Sequence, residues 1–265
     1  MMRFSNSAAL KGLSAACGLL LLAAAGCGRG ASPMETRDVT LHTPDGKTLA
    51  GTLFVPEAKE PPGLVLVHGA GRDRSVWSGF AERACRDGFL CLAFDLRGHG
   101  CSAGGPHGHR EYTQADWLKI LADLGVACRT LVAAGADARN LALAGEGLGA
   151  NLVLLHARGN TAVQAVALLS PGLEYSGIRA APALARLREV PVLILAAEND
   201  AYGARSASAL EQTVPGFCQM HLYDGAAHGA DLLAASDHAG RQILDWLADI
   251  LCGKAHKARE ETHGG

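Results

Sequence analysis

The stretch from Leu141 to Asn151 constrains this chain more than any other. It joins a wholly apolar segment, Leu141-Ala142-Leu143-Ala144, to a helix start through Gly145-Glu146-Gly147-Leu148-Gly149. An apolar run that short suits a strand buried on both faces, and three glycines at alternate positions suit a sharp strand-to-helix turn. Other apolar runs repeat the signal: Gly63–Val67, Phe89–Phe94, Val163–Leu169, Val190–Ala196 and Phe217–Tyr223. Between them lie segments of helical periodicity. In Thr113–Ala133, residues Trp117, Ile120, Leu121, Leu124, Cys128 and Leu131 fall on one face. Helices are also expected over Ser75–Asp87, Leu148–Ala157, Ala204–Thr213 and Asp231–Leu251. Alternation of this kind predicts an α/β domain, a mostly parallel sheet covered on both faces. Arg37–Thr43 and Lys47–Val55 alternate around Pro44-Asp45-Gly46, which predicts an antiparallel hairpin ahead of the parallel strands.

The remaining composition bounds the function. A chain of 265 residues fits one large domain or two small ones, and 49% hydrophobic content suits an ordinary core. A formal charge of -2 gives no basic footprint for nucleic acid. The histidines show no H-E-x-x-H spacing, and His107 and His109 sit in a Gly-rich loop without a carboxylate set, so neither metal nor cofactor is expected.

The N-terminus reads as a targeting segment. Arg3 and Lys11 precede an apolar run, Leu13–Ala25, too short to span a bilayer comfortably. Small residues then lead directly into Cys27. This resembles a bacterial lipobox, although Ala24 stands where leucine is preferred. The expected organisation is a lipoprotein signal over 1–26, a tether over 27–36, the domain over 37–252 and a disordered polar tail over 253–265. Lipidation of Cys27 would attach the chain to a membrane of the bacterial envelope; an ordinary secretory signal with a chance cysteine is the alternative. Export implies an oxidising compartment. Apart from Cys17 and Cys27, six of the eight cysteines remain; an even number permits disulfides without defining their pairing.

Three motifs carry a family resemblance. Val67-His68-Gly69-Ala70-Gly71 follows the third strand. Asp95-Leu96-Arg97-Gly98-His99-Gly100-Cys101-Ser102 follows the fourth. Gly145–Asn151 and Leu169–Tyr175 complete the set. In this order they resemble the α/β-hydrolase fold family, most closely dienelactone-hydrolase-like exported proteins, over nearly the whole mature chain. The resemblance implies a sheet of about eight strands and a minimal lid, because Leu173–Glu189 can hold little more than one helix. It also implies a nucleophile–acid–base triad. Gly147 stands at the nucleophile position, where the family's G-x-S-x-G turn presents serine. Asp200 matches the acid and His228 the base, each just past a strand. Glu198 competes as acid. The blander reading has Asp200 capping the next helix and His228 as a loop histidine. The N–H groups of Ala70 and Leu148 match the oxyanion donors.

Glycine offers no nucleophile. The expectation is an esterase- or acyl-hydrolase-like frame with impaired catalysis, which could retain a small ester- or acyl-type ligand. Two alternatives stand beside it. One is an active hydrolase of small esters, lactones or peptides using activated water or a relocated nucleophile such as Cys101, Ser102 or Ser170. The other is a non-catalytic scaffold of the envelope.

Overall fold

The computed structural model describes residues 34–263. The leader, Cys27 and most of the expected tether lie outside them. Strands β1 (Glu35–His42) and β2 (Thr48–Val55) form the expected antiparallel hairpin. β1 begins inside the segment assigned to the tether. The turn is closed by Thr43, whose hydroxyl accepts from the Lys47 N–H (2.9 Å). β3 (Gly63–Val67) leads through a 3-10 turn to α1 (Ser78–Arg86), followed by β4 (Leu90–Phe94) and α2 (Gln114–Ala133). Thr113 caps α2 in a capping box with Asp116, so the helix starts one residue after the periodicity does.

β5 (Leu141–Glu146), α3 (Leu148–Ala157) and β6 (Val163–Leu169) follow without a break in pattern. The short segment expected to hold one helix instead folds as a hairpin, β7 (Glu174–Tyr175) and β8 (Ile178–Arg179), and a four-residue helix α4 (Ala181–Leu184). β9 (Val192–Ala197), α5 (Ala201–Glu211) and β10 (Cys218–Tyr223) complete the sheet. The expected closing helix is two helices, α6 (Asp231–Ala235) and α7 (Asp237–His263), because Ser236 is extended. The backbone of α7 continues to His263, through the stretch expected to be a disordered tail. Lys, Ala, Arg and Glu are good helix formers, and Gly253 alone costs too little to stop the helix.

The sheet has eight strands in the order β1-β2-β4-β3-β5-β6-β9-β10. β2 pairs antiparallel with β4, and every pair from β4 to β10 is parallel. Alternation along β3 builds two cores: Val65 and Val67 face α2 and α3, whereas Leu64 and Leu66 face α1 and α7. All four are fully buried. The Asp95–Ser102 turn is fastened from within. Arg97 donates from Nε to Asp123 Oδ2 (2.6 Å) and from Nη1 to Asp45 Oδ2 (2.8 Å), with Asp123 fully buried in α2. Asp123→Ala strands most of a buried guanidinium, leaving only the half-exposed Asp45. We expect a loss of about 3 kcal/mol, read as the urea midpoint of unfolding.

Candidate active site

The turn after β5 explains its own glycines. A Cβ on Gly145 would lie 2.6 Å from the Gly149 carbonyl oxygen, and one on Gly149 would lie 2.5 Å from the His68 carbonyl oxygen. Side chains there are excluded by backbone. Gly147 differs: it takes φ 53° and ψ -121° as the N-cap of α3, yet a Cβ on it meets only one atom within 4 Å. That atom is His228 Nε2, at 3.5 Å, an ordinary van der Waals separation. The middle position therefore has room for a side chain, and that side chain would face an imidazole. Glycine's advantage at 147 is conformational, since φ in this range strains any other residue.

His228 lies after β10 and Asp200 after β9, so parallel pairing of these strands brings both to the carboxyl edge of the sheet. His228 Nδ1 is 2.7 Å from Asp200 Oδ2. Asp200 also caps α5, its Oδ1 accepting from the Gly203 N–H (3.2 Å). The two readings of Asp200 are therefore both realised, one on each oxygen. The same capping starts α5 at Ala201, earlier than the sequence suggested. Glu198 is exposed, and its carboxylate has no hydrogen-bond partner among the described residues. With Nδ1 held by the carboxylate, Nε2 is left to face position 147. The His228 side chain is 46% exposed, so this face of the imidazole is reachable from solvent.

Of the two expected oxyanion donors, Leu148 is buried at the first position of α3 and Ala70 is exposed in the loop after β3. Neither N–H donates to another group among the described residues, as the first N–H of a helix is free to do. His68, just before, is locked. Its Nδ1 donates to the Gly69 carbonyl (2.8 Å) and its Nε2 accepts from the Leu96 N–H (3.0 Å), which fixes the tautomer.

The positioning role of Glu146 is what sequence reasoning missed. The residue is buried, and its carboxylate joins both loops of the site. Oε1 accepts from the Gly69 N–H (2.7 Å) and Oε2 from the Ala230 N–H (3.2 Å). A Cβ on Gly229 would collide with Oε2, so Gly229, next to His228, is fitted to this carboxylate. The one available signal was a lone acid at the end of an otherwise apolar strand. Outside, Arg72 and Asp231 repeat the link through two hydrogen bonds (2.6 and 3.0 Å), though an exposed pair contributes about 1 kcal/mol at most. Asn151 secures the opposite wall: its amide donates to the Gly172 and Ile178 carbonyls and accepts from the Gly172 N–H. Tyr175, in the β7–β8 hairpin, stands edge-on to His228 with ring centroids 6.5 Å apart.

The side chains considered as replacement nucleophiles are otherwise engaged. Ser102 is buried, donating to the Asp95 carbonyl and accepting from the Ala50 N–H. Ser170 is fully buried, and its Oγ accepts from the Gly229 N–H (3.0 Å). Cys101 is exposed but lines a separate pocket of about 280 Å³ with Arg74, Ser75 and Ser78. None bonds His228. Among the described residues, no group of three or more His, Cys, Asp or Glu side chains could hold a metal ion.

A second histidine group lies behind the loop. His99 stacks on His109 (4.1 Å between centroids) and meets His68 edge-on at 5.0 Å. Burial pushes the His99 pKa down to about 3, and burial also lowers that of His68. In the unfolded chain both titrate near the ordinary value of about 6.5, so there the unfolded state binds more protons. Their stabilising contribution is complete above that pH and is lost as pH falls from about 6.5 towards the folded values. Each imidazole adds a slope of at most about 1.4 kcal/mol per pH unit. Urea unfolding between pH 6 and 4 checks this; His99→Phe is expected to flatten the slope by about one proton.

Comparison with known proteins agrees with the fold. Residues 60–189 match the family model described as serine aminopeptidase, S33. Two Mycobacterium tuberculosis proteins named as phosphoribosyl transferases are 27% identical over 214 residues, which is 77% of this chain. The chain spans only 44% of their length. Among solved structures, an α/β hydrolase from a Penicillium species superposes with a TM-score of 0.70 at 17% identity, covering 82% of this chain and 99% of that one. A dienelactone hydrolase of Anabaena variabilis gives 0.67 at 16% identity, with the same coverage. Strand order and the likeness to these structures show that the chain has the α/β-hydrolase fold.

Proposed function

We propose that this chain is an esterase- or acyl-hydrolase-type frame that keeps its acid–base pair and oxyanion donors but lacks a nucleophile. One observation carries the reading: a Cβ at position 147 would meet only His228 Nε2, at 3.5 Å, and glycine occupies that position. In a serine enzyme, the imidazole takes the serine proton, the oxygen attacks the carbonyl, and backbone N–H groups hold the developing oxyanion. Here Asp200 and His228 are set for the first step, with no proton donor at 147 to act on. Binding of a small ester or acyl group needs neither. The native protein is then a binder of such ligands with residual chemistry at most.

The experiment is paired. Native protein is mixed with p-nitrophenyl acetate, and separately melted with and without octanoate. We expect no turnover sensitive to His228→Ala, and a rise in melting temperature with octanoate. Absence of both turnover and stabilisation would favour a scaffold without ligand.

A second reading rests on the exposed face of His228. Oriented by Asp200, its Nε2 could take a proton from water that attacks an ester directly. Turnover by the native protein that disappears in His228→Ala would select it.

The Cys27 lipobox supports placing the protein on a membrane of the bacterial envelope through a lipid anchor. Metabolic labelling with a radioactive fatty acid, lost on Cys27→Ser, tests that assignment.

A further inference from the structure

At the amino ends of β6 and β9, on the edge of the sheet opposite His228, lies a pocket of about 350 Å³. Three arginines line it. Arg158 follows the last turn of α3, while Arg186 and Arg188 come from the connection into β9. Arg72, Arg74, Arg97 and Arg139 each pair with a carboxylate within 4.0 Å. Arg158, Arg186 and Arg188 pair with none among the described residues, although Glu189 is also in the pocket wall. The carboxyl end of α3 offsets about half a charge and Glu189 one more. The three guanidinium groups still leave the pocket clearly positive, in a chain whose formal charge is -2. The floor is firm, since Ala157, Val163 and Leu187 are buried. The rim carries Thr161, an uncharged hydrogen-bonding group.

We infer that this pocket is a binding site for a phosphate-class anion, separate from the His228 site. Guanidinium groups match phosphate oxygens through paired N–H donors, and three arginines from two chain segments line this one pocket. A concave site of this volume suits a small phosphorylated solute. An anionic lipid headgroup shares the chemistry and is distinguished by experiment. β6 has seven residues, so the two edges are separated by about 20 Å of strand. The inference is thus independent of the hydrolytic reading.

The test uses the full chain, and the same chain carrying Arg158→Gln, Arg186→Gln and Arg188→Gln singly and together. Inorganic phosphate is titrated by calorimetry at low salt. We expect saturable binding that weakens about tenfold for each single change, is lost in the triple variant and fades in 1 M salt. The side chains are exposed, so melting without phosphate should not move; a triple variant that melts normally and fails to bind supports the site. Vesicles of phosphatidylglycerol are compared with phosphatidylcholine. Preference of the unsubstituted chain for the anionic vesicles, lost in the triple variant, without binding of inorganic phosphate assigns the site to a headgroup. Equal behaviour of unsubstituted and triple-variant chains in both arms overturns the inference.

Discussion

Gly147→Ser is expected to turn the protein into a working esterase. The hydroxyl would extend from a Cβ position 3.5 Å from His228 Nε2, within reach of the imidazole, whose other nitrogen is already held by Asp200 at 2.7 Å. Subtilisin sets the scale of the effect: removing its nucleophilic serine lowers kcat by about 10⁶. A restored nucleophile in a frame without later refinement should recover a smaller part of that, about 10³-fold or more over the native background. The variant should also be less stable. A side chain at φ 53° adds strain of about 1–3 kcal/mol, or several degrees of melting temperature for a domain of this size. Gain of activity together with loss of stability is specific to a strained elbow: a serine placed on an ordinary turn would give neither.

Glu146→Ala should have the largest effect on stability. Its carboxylate satisfies two buried N–H groups, on Gly69 and Ala230, that have no other partner among the described residues. Each orphaned donor costs about 1–3 kcal/mol, and the vacated space adds to it, so a loss of about 3–5 kcal/mol is expected. Glu146→Gln keeps one acceptor and should cost roughly half as much. In the Gly147→Ser background, Glu146→Gln should reduce kcat with little change in KM for a small ester, because the residue positions His228 and the donor loop without touching substrate. Equal stability of Glu146→Ala and the native protein would remove Glu146 from that role.

The parallel core was legible because fully buried strands must be continuously apolar, and Gly63–Val67 or Leu141–Ala144 can be little else. Asp200 and His228 were legible through the family resemblance, and their positions after successive parallel strands explain why the fold brings them together. Glu146 was not, because its partners lie 77 and 84 residues away and are backbone groups that carry no sequence signature. The β7–β8 hairpin was missed for a similar reason. Two-residue strands have no periodicity, and Asn151 rather than local propensity fixes their place. The break at Ser236 and the extension of α7 to His263 reflect turn geometry and helix propensity in a stretch where hydrophobic pattern is weak. The glycines at 145, 147 and 149 look alike in sequence. Only in three dimensions do two prove to be required by backbone contact and one to face the His228 imidazole alone.

The central claim is that position 147 lacks only a nucleophile. A fluorophosphonate reacts with a serine whose proton is removed by a neighbouring base, and mass spectrometry locates the adduct. The account predicts that native protein stays unlabelled, that Gly147→Ser is labelled on the peptide spanning residue 147, and that adding His228→Ala abolishes the label. A folded Gly147→Ser variant that remains unlabelled, or native protein labelled at another residue, would contradict it.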